Sequence, residues 1–423
     1  MDVNEILKKH RLKQVRCKKL LNYYTAKHKI LNINRSDQKT ENRLVNDYPG
    51  YITDVICGYF MGKPIRYTSK SQNDDLVTRL SDINESNNEQ DHNYELAKNM
   101  SIYGEAWELL YVDEDSEIRF VALSPDEVVP EYKKNSFGKT LESAARIFYN
   151  KKNREYIAKV EVYYADHIEY YINENGNMRL IDVQAHYFGK VPLIYYENNK
   201  ELMGDFEKVI SLIDEYDKRA SNNANELDSN RNAYLKLKNM AGVENEDIQA
   251  CNEMGAFKLD EDQDVEYLIK QVNDKYIQNN LTNTDNNIHK FSKVPNLSDE
   301  SFAGNLSGVA IAFKLWPLEQ VAATKERKFK TGLKRRLKMI CVYLNTISST
   351  YEHFDYMDVN TTFIRNIPQN VQELVGIAND ISNMVDKETA LSIIPFIDNP
   401  AEVIAKKQKE DDEGLGYENF TDQ

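Results

Sequence analysis

Cysteine is scarce and scattered: four occur in 423 residues, at positions 17, 57, 251 and 341, and none form a CxxC pair. That spacing excludes a zinc ribbon, a thioredoxin-type motif and a disulfide framework. It suits a reducing cytosol in which all four are small apolar residues. Long apolar runs are missing too. No window approaches about 18 uncharged apolar residues, so no membrane span is expected. The opening MDVNEILKKHRLKQ has no apolar stretch after its basic residues, so no signal peptide is expected. Positive charge is in deficit, with a formal net charge of −14. A tight general nucleic-acid binder is thereby disfavoured, because phosphate affinity comes mainly from cations. A protein that lets a polyanion pass without sticking is not.

Catalytic signatures are absent in the same way. The seven histidines are dispersed, with no HExxH, and no GxSxG elbow occurs. Two fragments approach a phosphate loop. GYFMGKP (58–64) is one residue short of the required spacing and has Pro64 in place of the metal-binding Ser/Thr. FGKT (137–140) has Lys133 where the first glycine belongs, so no nest of backbone donors can form. VDEDSE (112–117) clusters acids but lies between two strand-like runs and reads as a hairpin turn. No catalytic residue, resident metal or cofactor is expected.

What is present is a mixed pattern. Residues 5–31 read as a basic helix: Lys8 to Lys29 hold nine Lys/Arg and no acid. Leu12, Val15, Leu20, Leu21 and Tyr24 are its expected buried face, and its cations read as a solvated face in preference to a nucleic-acid patch. From Tyr51 to about Pro192, runs such as WELLYVD, IRFVALS, KVEVYYADHIEYYIN and HYFGKVPLIYY read as strands and hairpins. Glu174 to Gly176 form a turn, and a helix covers about 91–101. The fold class is α+β with a mainly antiparallel sheet. Gly204 to Tyr234 turns helical on a stripe of Phe206, Val209, Ile210, Ile213, Tyr216, Ala220, Ala224 and Leu227, its polar second half leaning on neighbours. An acidic insert follows (235–273), with a short helix at NEDIQACNEM and strand-like AFKLDEDQDVEYLIKQV. Its nine acids against one Lys between Glu244 and Glu266 read as a repulsive, solvated surface. Asp274–Val294 is a second helix with a narrow seam of Ile277, Leu281, Ile288 and Phe291 on an otherwise polar circumference.

Pro295 ends that helix, and PNLSDESFAGNLSG has the composition of a loop. Leu318, Val321, Ala322, Phe329, Leu333, Leu337, Ile340 and Leu344 then follow a helical period. Pro317 stands at its start, removing a donor and crowding the preceding turn, so residues 307–345 are two helices or one kinked helix. Eight Lys/Arg against one Glu lie between Lys325 and Lys338. They fall mostly off the apolar stripe. VNTTFIR (359–365) reads as a strand. Two helices follow, the first opened by Pro368 and Asn370 and the second by cap chemistry at Asp386 to Thr389. The tail from Glu410 is acidic.

Four stretches together resemble portal proteins of tailed double-stranded DNA phages, in the branch of siphophages infecting Gram-positive bacteria. They are YPGYITDVICGYFMGKPIRYTS, ELAKNMSIYGEAWELLYVDED, HYFGKVPLIYYENNKELMGDFEKVISLIDEYDKRASNNANEL and GNLSGVAIAFKLWPLEQVAATKERKFKTGLKRRL. They occur in the family's order. The resemblance implies a homo-oligomeric ring of roughly twelve subunits closed by heterologous contacts. It would sit at one capsid vertex as the channel for DNA packaging and ejection. Its implied partners are the terminase large subunit, head-completion and connector proteins, and scaffolding and major capsid proteins. Double-stranded DNA would be held weakly and non-specifically. No membrane is implied, and the location is the virion, with the host cytoplasm during assembly. The family's parts map as an N-terminal helix and wing (1–203), first stem helix (204–234), clip (235–273), second stem helix (274–294), tunnel loop (295–307), kinked long helix with a wing strand (308–368), and a short helical crown with acidic tail (369–423). Implied channel residues are Asn296, Ser298, Asp299, Glu300, Ser301, Phe302 and Asn305, with Lys290, Lys293 and Lys314 as candidate channel cations. Pro317 marks the kink, and the basic run from Lys325 to Lys338 becomes the wing-side arm, its cations pairing with neighbouring acids in preference to touching DNA. Asp260, Glu261, Asp262 and Asp264 mark the docking surface of the clip. The rival readings are an enzyme of the packaging apparatus, nuclease or ATPase, and a virion protein without a channel.

Overall fold

The computed structural model describes the chain outside residues 1–2, 34–40, 135–139, 153–154, 175–176, 231–233, 240–241, 257–258, 260, 269–273, 299–307, 348–352, 368–370, 393, 395–396, 398–399, 401–402 and 411–423. By its contacts the chain falls into two units: Met1–Asn296 with Leu315–Arg365, and Leu297–Lys314 with Asn366–Gln423.

The first unit opens with helix α1 (Val3–Tyr24) and a 3-10 turn at Lys29–Asn32. The basic helix is therefore shorter than the 5–31 expected, and its buried face differs as well. Ile6, His10, Cys17, Leu20 and Tyr23 are buried, whereas Leu12 and Val15 are each 72% exposed and Leu21 is 41% exposed. Helix α2 (Tyr48–Met61) comes next, then strand β1 (Arg66–Ser69) and helices α3 (Asp74–Ser86) and α4 (Glu89–Tyr103). The strand-rich character expected from Tyr51 thus begins only after Tyr103. Helix α2, YPGYITDVICGYFM, is aromatic and β-branched and is buried over most of its surface, so it has no amphipathic period to read. Its caps were the legible signal: Asp47 accepts from the Gly50 amide at 3.0 Å, with Pro49 in the first turn. Helix α4 stops at Gly104, φ 83°, where an added Cβ would lie 2.2 Å from the Leu202 carbonyl oxygen.

Strands β2 (Glu105–Val112), β3 (Ile118–Leu123), β4 (Val128–Tyr132), β5 (Leu141–Lys152), β6 (Glu155–Tyr163), β7 (His167–Glu174), β8 (Asn177–Ala185) and β9 (Leu193–Glu197) follow. They form two antiparallel sheets, in the orders β3-β2-β9 and β4-β5-β6-β7-β8. The VDEDSE turn is as expected: the Asp113 carboxylate accepts from the amides of Asp115 and Glu117 and from Arg119. β7 and β8 form the other expected hairpin, Glu174 opposite Asn177, with residues 175–176 of its turn outside the described residues. Trp107, Leu109, Leu193 and Tyr195 centre one core cluster, and Ile6 of α1 packs on the five-stranded sheet at Val129, Ile147 and Val162.

After a 3-10 turn at Glu207–Val209 runs helix α5 (Ile210–Asn230), shorter than the 204–234 expected. Tyr234 opens strand β10 (Tyr234–Lys238), which is followed by helix α6 (Asn245–Met254), strand β11 (Asp264–Leu268) and helix α7 (Asp274–Ser292). β10 and β11 pair antiparallel. Helix α8 (Gly308–Ile347) is a single element that contains Pro317, and strand β12 (Val359–Thr362) pairs with β1. In the second unit, α9 (Val371–Ile381) precedes α10 (Lys387–Leu391), which is capped by Asp386 accepting from the Thr389 amide at 2.8 Å. Residues 403–410 are helical. Pro368, Asn370 and the tail beyond residue 410 lie outside the described residues.

Candidate functional site

Helices α5 and α7 pack along one another on either side of the β10-α6-β11 insert. On α5 the buried line begins apolar, with Phe206 and Val209 before the helix and Ile213 in it. It continues as Asp217, Ser221 and Asn225, while Leu227 is 59% exposed. Those three polar side chains hold an extended strap. Asn225, Ser221 and Asp217 accept from the amides of Asn42, Leu44 and Asn46 at 2.7, 2.9 and 2.8 Å. The spacing explains the match: two residues of extended chain advance about 6.8 Å, close to the roughly 6 Å of four helical residues. Asp217 also takes His28 Nδ1 at 2.6 Å and Asn46 Nδ2 at 2.9 Å.

On α7, Ile277 and Leu281 are half-buried, and Thr284, Ile288 and Ser292 are buried. Phe291, expected in that seam, is 56% exposed. The opposite face carries Asn279, Thr282, Asn283 and Asn286, exposed and uncharged, between the exposed Lys275 and Lys290. Beyond Ser292 the chain turns through Lys293, φ 64°, so this left-handed residue rather than Pro295 ends the helix. The exit is pinned by three rings. The Tyr48 hydroxyl donates to Asp285 at 2.7 Å, and the Tyr51 hydroxyl donates to the Pro295 carbonyl at 2.8 Å. His289 Nδ1 donates to the Val294 carbonyl at 3.0 Å, and both tyrosine rings meet His289 edge-on. Burial and Asp285 raise the Tyr48 hydroxyl above its ordinary value, so it stays a donor. Neither tyrosine nor His289 stood out in the sequence, because the contact spans more than 230 residues.

Of the residues the resemblance implied, Asn296 is half-buried and Ser298 exposed at the start of the loop, and Lys290 and Lys293 are exposed. Lys290 lies over the Phe291 ring. Lys314 is half-buried on α8, and Pro317 is exposed. Asp299, Glu300, Ser301, Phe302, Asn305 and Asp260 lie outside the described residues. Glu261, Asp262 and Asp264 are exposed together where the chain enters β11, and Asn239 Nδ2 donates to the Asp262 carbonyl at 2.9 Å. The structure therefore gathers three of the four acids on one turn.

Four of the eight cations between Lys325 and Lys338 pair with acids, Lys330 with Glu326 at 2.7 Å on α8 itself, while Arg327 and Lys334 are exposed. Lys325, 1% exposed, meets Asp205 at 2.7 Å and Asn198 at 2.6 Å, and Lys328 meets Glu197 at 2.6 Å. Arg336, equally buried, reaches Glu108 at 2.6 Å, Glu89 at 3.3 Å and Asn93 at 2.9 Å. His92 and the Tyr196 hydroxyl complete the bonding of Glu108. Burial alone would raise the Glu108 pKa, but Arg336 and His92 outweigh it and hold the carboxyl down to about 2. A carboxylate so enclosed and so fully bonded is a structural joint, not a catalytic base. Gly332 allows the helix this close: an added Cβ would lie 2.3 Å from the Tyr196 ring. Among the described residues, no three of His, Cys, Asp and Glu are placed to hold a metal, and no helix is long and apolar enough to cross a membrane.

The two helices and the acidic insert between them lie within residues 4–416, which match a class of phage portal proteins, the family described as phage portal protein, SPP1 Gp6-like. The chain belongs to that family, and its role is that of a portal ring subunit. It is 26% identical over 412 residues to the portal protein of Bacillus phage SPP1, covering 93% of this chain and 80% of that one. It is 22% identical over 446 residues to the portal protein of Clostridium phage phiCD119, covering 95% of this chain and 94% of the relative.

Proposed function

We propose that the chain forms a ring, dodecameric by analogy with the family, whose channel carries double-stranded DNA during packaging and ejection. The ring is a conduit and platform without catalysis of its own. In this reading the wing is 1–203, the stem helices lie within 204–234 and 274–294, the clip is 235–273 and the tunnel loop 295–307. The long helix, bending at Pro317, and its wing strand are 308–368, and the crown and tail 369–423. The observation that carries it is the outer face of α7. Asn279, Thr282, Asn283 and Asn286 offer neutral hydrogen-bonding groups along the middle of the face, and Lys275 and Lys290 at its two ends add salt-sensitive contacts. Lys293 and Lys314 are the other channel cations. Asp299, Glu300 and Phe302 belong to a loop that changes shape as DNA moves, anchored at Pro295 through Tyr51.

Glu261, Asp262 and Asp264, with Asp260, form the docking surface for the terminase large subunit and later for head-completion and connector proteins. Scaffolding and major capsid proteins meet the ring in the host cytoplasm during assembly. In the virion it occupies one vertex. The test is DNA packaging by particles carrying Asp299→Ala, Glu300→Ala or Phe302→Ala. Rings should assemble normally in electron micrographs while packaged DNA falls. Loss of the rings themselves would refute the loop assignment.

A further inference from the structure

Helix α1 uses its cations in two ways. Lys13 and Arg16 turn inward: Lys13 pairs with Glu105 at 2.7 Å, and Arg16 with Glu207 at 2.8 Å and with the carbonyls of Tyr103 and Leu202. Lys8, Arg11, Lys18 and Lys19 are exposed and form no ion pair among the described residues. With Leu12 and Val15 they occupy positions 8, 11, 12, 15, 18 and 19, which is one continuous helical face. An apolar pair 72% exposed, rimmed by four cations, is a surface shaped for a partner that is apolar at its centre and acidic at its edge. Naked phosphates would need the cations but not the leucine and valine between them.

The first unit carries one such surface. The C-terminal end of α2, β1, α3 and the start of α4 enclose a cleft of about 830 Å³. Its floor includes Met61, Ile65 and Val77, and Glu85 and Asp91 stand exposed at its edge with Ser81. Neither carboxylate has an ion-pair partner among the described residues, and no Lys or Arg is among the lining residues described. The two surfaces cannot satisfy each other within one chain. The inward side of α1 packs on the far half of α4, at Lys98 and Tyr103, while the cleft lies at Asn88 to Tyr94. The two therefore occupy opposite halves of α4, whose 15 residues span roughly 22 Å. A pair of unlike, complementary patches on different sides of one subunit is what a head-to-tail ring requires.

We propose that the outer face of α1 docks into the α2-α3-α4 cleft of the next copy of this chain. Leu12 and Val15 cover the apolar floor, and Lys8 and Arg11 face Glu85 and Asp91. The inference rests on the ring reading and names a contact that closes the ring. Charge exchange tests it. Lys8→Glu with Arg11→Glu, or Glu85→Lys with Asp91→Lys, should each lower the fraction of chain in rings by on the order of tenfold in native mass spectrometry. Combining all four in one chain should restore it, which a folding defect would not do. A second arm uses Leu12→Cys with Ser81→Cys in a Cys251→Ser background. Mild oxidation should give a ladder of covalent oligomers that neither single cysteine gives. Intact rings that yield no ladder and tolerate the charge reversals would overturn the contact while leaving the ring reading in place. Wild-type chain that forms no rings would instead overturn the ring reading. Loss of salt-dependent DNA binding on reversing Lys8 and Arg11, with rings unchanged, would reassign the face to nucleic acid and also overturn the proposal.

Discussion

Arg336 shows how much of a basic run can be structural. Its guanidinium joins α8 to Glu89 and Asn93 of α4 and Glu108 of β2, and stacks on Phe120 of β3. Removing one partner of a buried pair leaves the other charge uncompensated, so Arg336→Met should destabilise the subunit by about 3–5 kcal/mol in urea unfolding. Glu108 adds a pH dependence. Its folded pKa, about 2, lies below the ordinary 4.5, so its contribution is complete above about pH 4.5 and is lost as pH falls towards 2. Glu108→Gln should be less stable at neutral pH and lose less stability than wild type between pH 5 and 2. An acid limb identical to wild type would contradict that assignment. The sequence showed that these cations lie mostly off the apolar stripe, and the resemblance favoured acids over DNA as their partners, which holds for Lys325, Lys328, Lys330 and Arg336. It could not say which acids, since Glu89 lies 247 positions from its arginine.

At the scale of elements, α5 and α1 both bury faces that hydropathy alone misassigns. The polar half of α5 is buried because its side chains substitute for a strand partner along residues 42–46. Asp217→Leu would leave His28 and the Asn46 amide without their acceptor. A loss of about 2–4 kcal/mol in chemical denaturation is expected, with retention of wild-type stability arguing against the strap. On α1, Leu12 and Val15 point outward, while His10 and Cys17 take buried positions. Elements with a strong period were readable to within a few residues: α6, α7, α8 and strands β2, β3, β6 and β7, whereas β4, β5 and β10 were not, Tyr234 of β10 falling in the span expected of the preceding helix. Helix α2 was not, because a helix apolar on nearly every side has no period.

For the whole molecule, an acidic chain suits a conduit. Subunits at −14 repel phosphates at long range, and in the proposed reading the channel cations give local contacts that salt weakens. Docking belongs to this scale too. Asp262→Lys with Asp264→Lys should leave rings intact and reduce capture of the terminase large subunit or a connector protein, and unchanged capture would remove the insert from that role. The sequence by itself determined the α+β class, the helix-insert-helix order and the kinship with portal proteins, because periodicity, caps and turn residues are local. Tertiary structure alone decided which face of each helix is inside, which acid answers each buried cation, and that Tyr48, Tyr51 and His289 pin the loop's base. These depend on groups brought together from distant positions, where burial raises the cost of an unpaired polar atom far above any local preference.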